Sequence, residues 1–393
     1  MIWSDCKELQ NELVKMRRDL HQIPEVGLHL PKTAAYVTAA LDALEIPYVL
    51  SQKDSGIIAT IAGGQPGKTV CLRADMDALP IQEDTGVEYT SKHDGFMHAC
   101  GHDSHTAMLL GAAKALKARQ AELKGTVRLL FQTAEELAKG APVLIDQGAM
   151  EGADSVFGIH IGTIISKEIP SGTVICTPGC CMASFDRFVI NVKGVGCHGS
   201  TPEKGIDPVN IAAHIVIALE TINAREFNAC VPVVVTIGSI HGGNQYNIIP
   251  ENVVIEGTIR ALDAQVRQKV ARRIGEISAA TATAFGGTAT VEMDWGAPPV
   301  VNDAAMAALA AEAAKEVLGE DMVITHVDYP NMGGEDFAYY LEKVPGAFMF
   351  LSSANAEKKT DIAHHNPKFN VDEDVFWIGS AVYANIAEKF LNG

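Results

Sequence analysis

The stretch "FDRFVINVKGVG", residues 185–196, decides the fold. Its apolar residues alternate with polar ones, the period-two signature of a strand with one face in water. The strand patterns before it differ. "GIIATIAG" (56–63), "TVCLRADMDALP" (69–80), "GTVRLLFQTAEE" (125–136) and "SVFGIHIG" (155–162) are largely apolar, while "HTAMLLGAAKALKARQ" (105–120) and "ELAKGAPVLIDQG" (136–148) read as helices. Apolar strands alternating with helices predict an α/β sheet covered on both faces. After residue 185 a helix is expected from Asp207-Pro208 through "VNIAAHIVIALETI" (209–222), then strands at "VVVTIGSIHGG" (233–243) and "ENVVIEGTIRAL" (251–262). A second helix between 263 and 285 carries Val266, Val270, Ile274 and Ile277 as its apolar stripe, and "GTATVEMDW" (287–295) closes the segment. This β-α-β-β-α-β order is that of a ferredoxin-like split βαβ sandwich. The earlier pattern then resumes with a helix at 304–319, a strand at 346–353 and a closing helix at 372–391. The fold expected is therefore α/β, with one discontinuous domain (residues 1–181 plus 295–393) interrupted by an inserted α+β domain (182–294).

Composition narrows the function. The chain has 393 residues, 47% of them hydrophobic, enough for two domains with sizeable cores. A formal net charge of −17 argues against nucleic acid and anionic membranes as partners, and leaves open a small anionic substrate held by a local Arg. No apolar run reaches the roughly 18 residues of a membrane-spanning helix. "MIWSDCKELQNELVKMRRDL" (1–20) reads as an amphipathic helix, not a signal peptide. Eight scattered cysteines fit a reduced, cytoplasmic protein, with Cys180 and Cys181 as ordinary small residues.

Chemistry concentrates in "MHACGHDSHTA" (97–107), which holds three of the chain's 13 histidines. Asp103 and Ser104 suit the N-cap of the following helix, which leaves Cys100 and His102 in the loop before it. A helix dipole there favours a thiolate, and Cys and neutral His both ligate zinc-like metals. The same side chains could instead merely hydrogen-bond the loop. Other strands end in further candidates: Asp75 and Asp77, Glu135 and Glu136, and His160. In an open α/β sheet the carboxyl ends of strands converge on one crevice.

"RADMDALP", "MHACGHDSHT", "FQTAEE", "GIHIG", "NIIP", "GGEDF" and "HHNPKF" occur in order, within a likeness that runs from about residue 15 to the C-terminus. Together they resemble the bacterial and plant amidohydrolases typified by hippurate hydrolase and indole-acetyl-amino-acid hydrolase, within the aminoacylase and carboxypeptidase metallohydrolase superfamily. The resemblance implies a zinc-exopeptidase-like catalytic domain, a mixed sheet flanked by helices, with the insertion acting as a lid and dimerisation domain. It implies two divalent ions per chain, zinc or manganese with cobalt or nickel as alternatives, held by Cys100, His102, Glu136, His160 and His365. His364 stands where relatives usually carry an apolar residue. Arg73 stands where carboxypeptidase branches place a metal-binding His.

The resemblance further casts Glu135 as the general base, Asp75 as the carboxylate that fixes a metal-binding His, and His198 as an oxyanion donor reaching the partner subunit's site. Asn247 and Arg260 match positions that hold the substrate carboxylate, a task suited to the Arg fork. Glu335 and Asp336 belong to a loop that approaches the site. Asp77 orders the turn before Leu79-Pro80. The implied activity is hydrolysis of N-acyl amino acids by a cytoplasmic homodimer. The rivals are a dipeptidase or carboxypeptidase on the same metal site, and a metal-binding scaffold without catalysis. The intact Glu135-Glu136 pair argues against the scaffold.

Overall fold

Strand Gln65–Asp75 is exposed at its start and buried from Val70 onward, and it anchors an eight-stranded mixed sheet. The computed structural model describes residues 2–393; Met1, at the head of the expected N-terminal helix, lies outside them. Gln65–Asp75 lies between Lys124–Gln132 and Ser155–Gly162, parallel to both, and Ser155–Gly162 is followed by Gly346–Ser352, also parallel. Ile57–Ala62 joins antiparallel beyond Lys124–Gln132, so the sheet is mixed. Every residue of Ser155–Gly162 and of Gly346–Ser352 is buried, as strands covered on both faces require.

Helix His102–Ala118 follows the histidine-rich loop, and Phe376–Asn392 packs beside it with the Ser380 hydroxyl on the Met108 carbonyl at 2.7 Å. The expected N-cap is corrected: the helix starts at His102, and Gly101 caps it at φ 88°. A Cβ at that left-handed residue would also stand 3.1 Å from the Ile161 side chain, so glycine fits on both counts. Asp103 instead lies in the first turn, where its Oδ2 accepts from Arg17 Nε at 2.8 Å and faces His21 Nδ1 at 2.7 Å. The N-terminal segment is two helices, Ile2–Glu8 and Gln10–His21. After Glu135 the chain makes one 3₁₀ turn, Glu135–Leu137, before a short helix, Gly140–Asp146, in place of the continuous helix expected.

By Cα packing, the larger unit comprises residues 1–181, 300–331 and 335–393, and the smaller comprises 182–299 with 332–334. The smaller unit thus ends five residues later than the sequence boundary and takes in a three-residue segment from the loop before Glu335. It holds a four-stranded antiparallel sheet in the order Val233–Gly242, Asn252–Ala261, Asp186–Lys193, Thr288–Trp295. Helices Pro208–Leu219 and Ala264–Ala284 supply Ile211, Ile215, Val270 and Ile274 to the core formed with Phe188, Ile190 and Val192. Asp207 and Asp263 cap those helices with side-chain oxygens, as their positions before the apolar stripes predict.

Candidate metal centre

All the candidate ligands lie in the larger unit: Cys100 and His102 at the N-terminal end of helix His102–Ala118, and His365 in the segment between Gly346–Ser352 and Phe376–Asn392. His160 stands near the end of Ser155–Gly162, and Glu135 and Glu136 follow Lys124–Gln132 after two intervening residues. Cys100 Sγ lies 3.4 Å from His160 Nε2. The ligand atoms of Cys100, His102 and His160 all lie within 4.8 Å of one another, as do those of Cys100, Glu136 and His365, and those of His102, Glu135 and Glu136. Cys100, His102 and Glu135 are all buried.

The hydrogen bonds show which atoms are free. His102 Nδ1 donates to the Asp77 carbonyl at 2.8 Å, and its Nε2 is buried with no hydrogen-bond partner among the described residues. His160 Nδ1 donates to the Ile161 carbonyl at 2.9 Å, which leaves Nε2 toward Cys100. His365 Nε2 stands 3.3 Å from Glu136 Oε1, within ion-pair reach but without hydrogen-bond alignment. His364 Nε2 faces the Ile161 carbonyl at 3.1 Å and is engaged there.

The Asp75 expectation is corrected. Its Oδ1 faces His105 Nδ1 at 2.5 Å, its Oδ2 accepts from Arg73 at 2.6 Å, and His102 Nε2 is 3.7 Å away. Asp77 orients His102 instead, and it does more than order the Leu79-Pro80 turn. Its carboxylate accepts the backbone N–H of Glu135 at 3.0 Å and of Glu136 at 3.3 Å. Ala134 (φ 48°) and Ala138 (φ 53°) bracket that glutamate turn in left-handed conformations.

Arg73 fills the place of a metal-binding His with a buried guanidinium. It donates to Gln132 Oε1 at 2.9 Å, Glu335 Oε1 at 3.0 Å and Asp336 Oδ1 at 2.9 Å, besides Asp75. No sequence signal links residues 262 positions apart; the pairing rests on topology alone.

The electrostatics ask for positive charge. Burial, then Glu136, Glu135 and Asp75, push the Cys100 thiol well above its ordinary value, so the thiolate expected from the helix dipole alone is not favoured. Burial opposes charge on His102, yet Asp75, Asp77 and Glu136 drive it up to about 10. Burial, followed by Glu335 and Glu136, raises Glu135 well above the carboxylate range, whereas His365 and His102 hold Glu136 low against its own burial. A thiol, imidazoles and carboxylates with free lone pairs, in a pocket of excess negative charge, fit a zinc-like divalent ion.

The sequence pattern of peptidase family M20/M25/M40 matches residues 71–389. The chain belongs to that family. It is 41% identical over 386 residues to the N-acetyl-L-cysteine deacetylase of Bacillus subtilis (strain 168), across 98% of this chain and 89% of that protein. It is 38% identical over 393 residues to thermostable carboxypeptidase 1 of Saccharolobus solfataricus, across 99% of this chain and 98% of that one. The crystal structure of a dinuclear metal binding peptidase of the M20 family from Bacillus subtilis matches with a TM-score of 0.85 at 35% identity, over 98% of this chain and 99% of that one. Membership makes the chain a metal-binding hydrolase of amide bonds, on the α/β fold expected.

The remaining candidates lie in the smaller unit. His198, exposed, sits on a two-residue strand opposite Ile248, and Gly199 N–H donates to the Asn247 carbonyl at 2.7 Å, so Asn247 adjoins the His198 loop. Arg260 lies on another sheet, where it donates to the Thr258 hydroxyl at 2.7 Å and covers the Phe185 ring.

Proposed function

We propose that this chain hydrolyses the amide bond of N-acyl amino acids, giving a carboxylic acid and a free amino acid. The observation that carries this reading is the pair Glu135-Glu136, adjacent in sequence, whose carboxylates group with His102, itself grouped with Cys100 and His160. Two neighbouring carboxylates beside such a donor set can divide into an ionised ligand and a proton carrier. Cys100, His102, Glu136, His160 and His365 hold two divalent ions, zinc or manganese, with cobalt or nickel able to substitute. What a divalent pair supplies in such a site is polarisation of the amide carbonyl and acidification of water to a pKa of roughly 7. Glu135 accepts the proton of the attacking water at its carboxylate and delivers it to the departing amine nitrogen, so the C–N bond breaks as a C–O bond forms. Arg260 and Asn247 hold the substrate carboxylate, and His198 donates to the oxygen that gains charge in the tetrahedral species.

The inserted unit serves as lid and dimerisation domain, and His198 acts on the partner subunit's site in a homodimer. We infer a cytoplasmic location from the eight cysteines scattered along the chain, a usage that fits a reducing compartment. A second reading, cleavage of peptides by the same site, is favoured by the likeness to a carboxypeptidase. The test is a panel of N-acetyl, N-benzoyl and longer N-acyl amino acids alongside dipeptides, with each metal added back to chelated protein. Faster turnover of acyl amino acids is expected. Preference for dipeptides moves the assignment to the second reading, and no turnover with any metal refutes both.

A further inference from the structure

Strand Gln65–Asp75 pairs with Ser155–Gly162 only from Val70↔Ser155 to Arg73↔Gly158. Past that point each follows its other neighbour, one as far as Asp75↔Gln132 and the other as far as Gly162↔Ser352. The sheet forks there, and His160 lies on one prong. A ladder that opens inside a core leaves backbone donors and acceptors to be satisfied. Here side chains take them. The Tyr383 hydroxyl donates to the Arg73 carbonyl at 2.6 Å and accepts from Ile159 N–H at 2.7 Å. His105 Nε2 accepts from Ile161 N–H at 2.8 Å while its Nδ1 donates to Asp75 Oδ1 at 2.5 Å. The Thr106 hydroxyl donates to the Asp75 carbonyl at 3.0 Å. All three side chains are buried. Alternate N–H groups of a parallel strand point to one edge, so Ile159 and Ile161 carry the donors the interrupted ladder leaves over, one on each side of His160.

We infer that Tyr383, His105 and Thr106 form a side-chain ladder that holds the fork open and are positioning residues for His160. This rests on the proposed metal-holding role of Cys100, His102 and His160. His105 also groups with Asp75 and His102 as a possible ligand set. Yet one of its nitrogens donates and the other accepts, so no lone pair remains for an ion. The ladder fixes the direction of His160 through the N–H groups on either side of it, as outer partners of a metal ligand do.

Cobalt(II) titration of the chelated apoprotein tests this, followed by the thiolate-to-cobalt absorption that reports Cys100 in the complex, with circular dichroism as a folding control. His105→Gln keeps one donor and one acceptor; His105→Leu fills the space with neither. The Gln variant should bind cobalt within about threefold of wild type and the Leu variant at least about tenfold more weakly, the scale of lost outer-partner effects. Equal weakening of both makes His105 a ligand and overturns the inference, as does a Leu variant that binds normally. Should His105→Leu fail to fold, Tyr383→Phe removes one hydroxyl only and must also weaken cobalt binding about tenfold; unchanged binding overturns the ladder. A wild-type chain that binds no cobalt refutes the metal reading itself, and the positioning role with it.

Discussion

Arg73→Met removes the one guanidinium that four buried side chains share. Arg73 is 2% exposed, and three of its partners are carboxylates: Asp75, Glu335 and Asp336. Each keeps at least one other partner: Asp75 His105, Asp336 both Gln132 and the Ala141 N–H, Glu335 the Phe337 N–H. The loss is therefore chiefly one of charge, and breaking a buried pair this way costs about 3–5 kcal/mol. For a unit of this size that lowers the melting temperature on the order of 10 °C. Burial already raises the Glu335 and Asp336 carboxyls above their ordinary values, with Arg73 opposing that rise. In Arg73→Met they rise further, so the folded variant binds more protons than the unfolded chain. Its stability then falls as pH rises, and the deficit against wild type should be larger at pH 7.5 than at pH 5.5. Thermal unfolding of the metal-free proteins, followed by circular dichroism, gives both numbers. Arg73→Lys, which keeps charge but not the fork, should fall between. An Arg73→Met deficit under about 1 kcal/mol at pH 7.5, or one that does not shrink at pH 5.5, would refute the reasoning.

The other expectations concern turnover, assembly and backbone. Glu135→Gln should keep metal content and fold while kcat drops by about 10²–10⁴, whereas Glu136→Gln should also lose metal in elemental analysis; near-normal kcat in Glu135→Gln removes its assignment as base. His198→Ala should lose about 10²–10³ in kcat yet retain metal. Mixed with Glu135→Gln under subunit exchange, it should recover roughly a quarter of wild-type activity per site, because about half the dimers are mixed and carry one whole site; exchange without recovery confines His198 to its own chain. Ala138→Gly relieves a left-handed non-glycine residue at φ 53°, so its melting temperature should match or exceed wild type; a clear fall would show that the 135–138 turn is unstrained.

The sequence exposes what repeats locally. Period-two alternation in 185–196 marks the inserted sheet, and burial along Asp186–Lys193 follows it. Strand-end carboxylates and histidines mark the crevice because parallel strands carry their ends to one edge. What it hides is non-local or turns on one backbone angle. Nothing in "RADMDALP" says that Arg73 meets Glu335 and Asp336, or that Asp77 rather than Asp75 holds His102. Gly101 takes the helix cap from Asp103 because a left-handed residue is needed against Ile161, a contact between segments sixty residues apart. The Cys100 thiol escapes a dipole argument because burial, and after it three nearby carboxylates, outweigh one helix end.

The histidines themselves show why spacing cannot assign roles that hydrogen bonds can. A metal-binding imidazole needs one nitrogen tied to a partner that fixes the ring and the other left with a free lone pair. His102 meets both conditions, with Nδ1 on the Asp77 carbonyl and Nε2 unpartnered among the described residues. So does His160, with Nδ1 on the Ile161 carbonyl. His105 fails because both nitrogens are taken, and His21 fails likewise between Asp103 and Glu83. His98, buried with neither nitrogen paired among the described residues, has nothing to aim it. Of the three histidines in residues 97–107, then, one is equipped to ligate, one holds two strands apart, and one is packed. The loop is crowded because a helix start, a strand fork and a donor cluster meet there, and each draws on the same side chain for a different property.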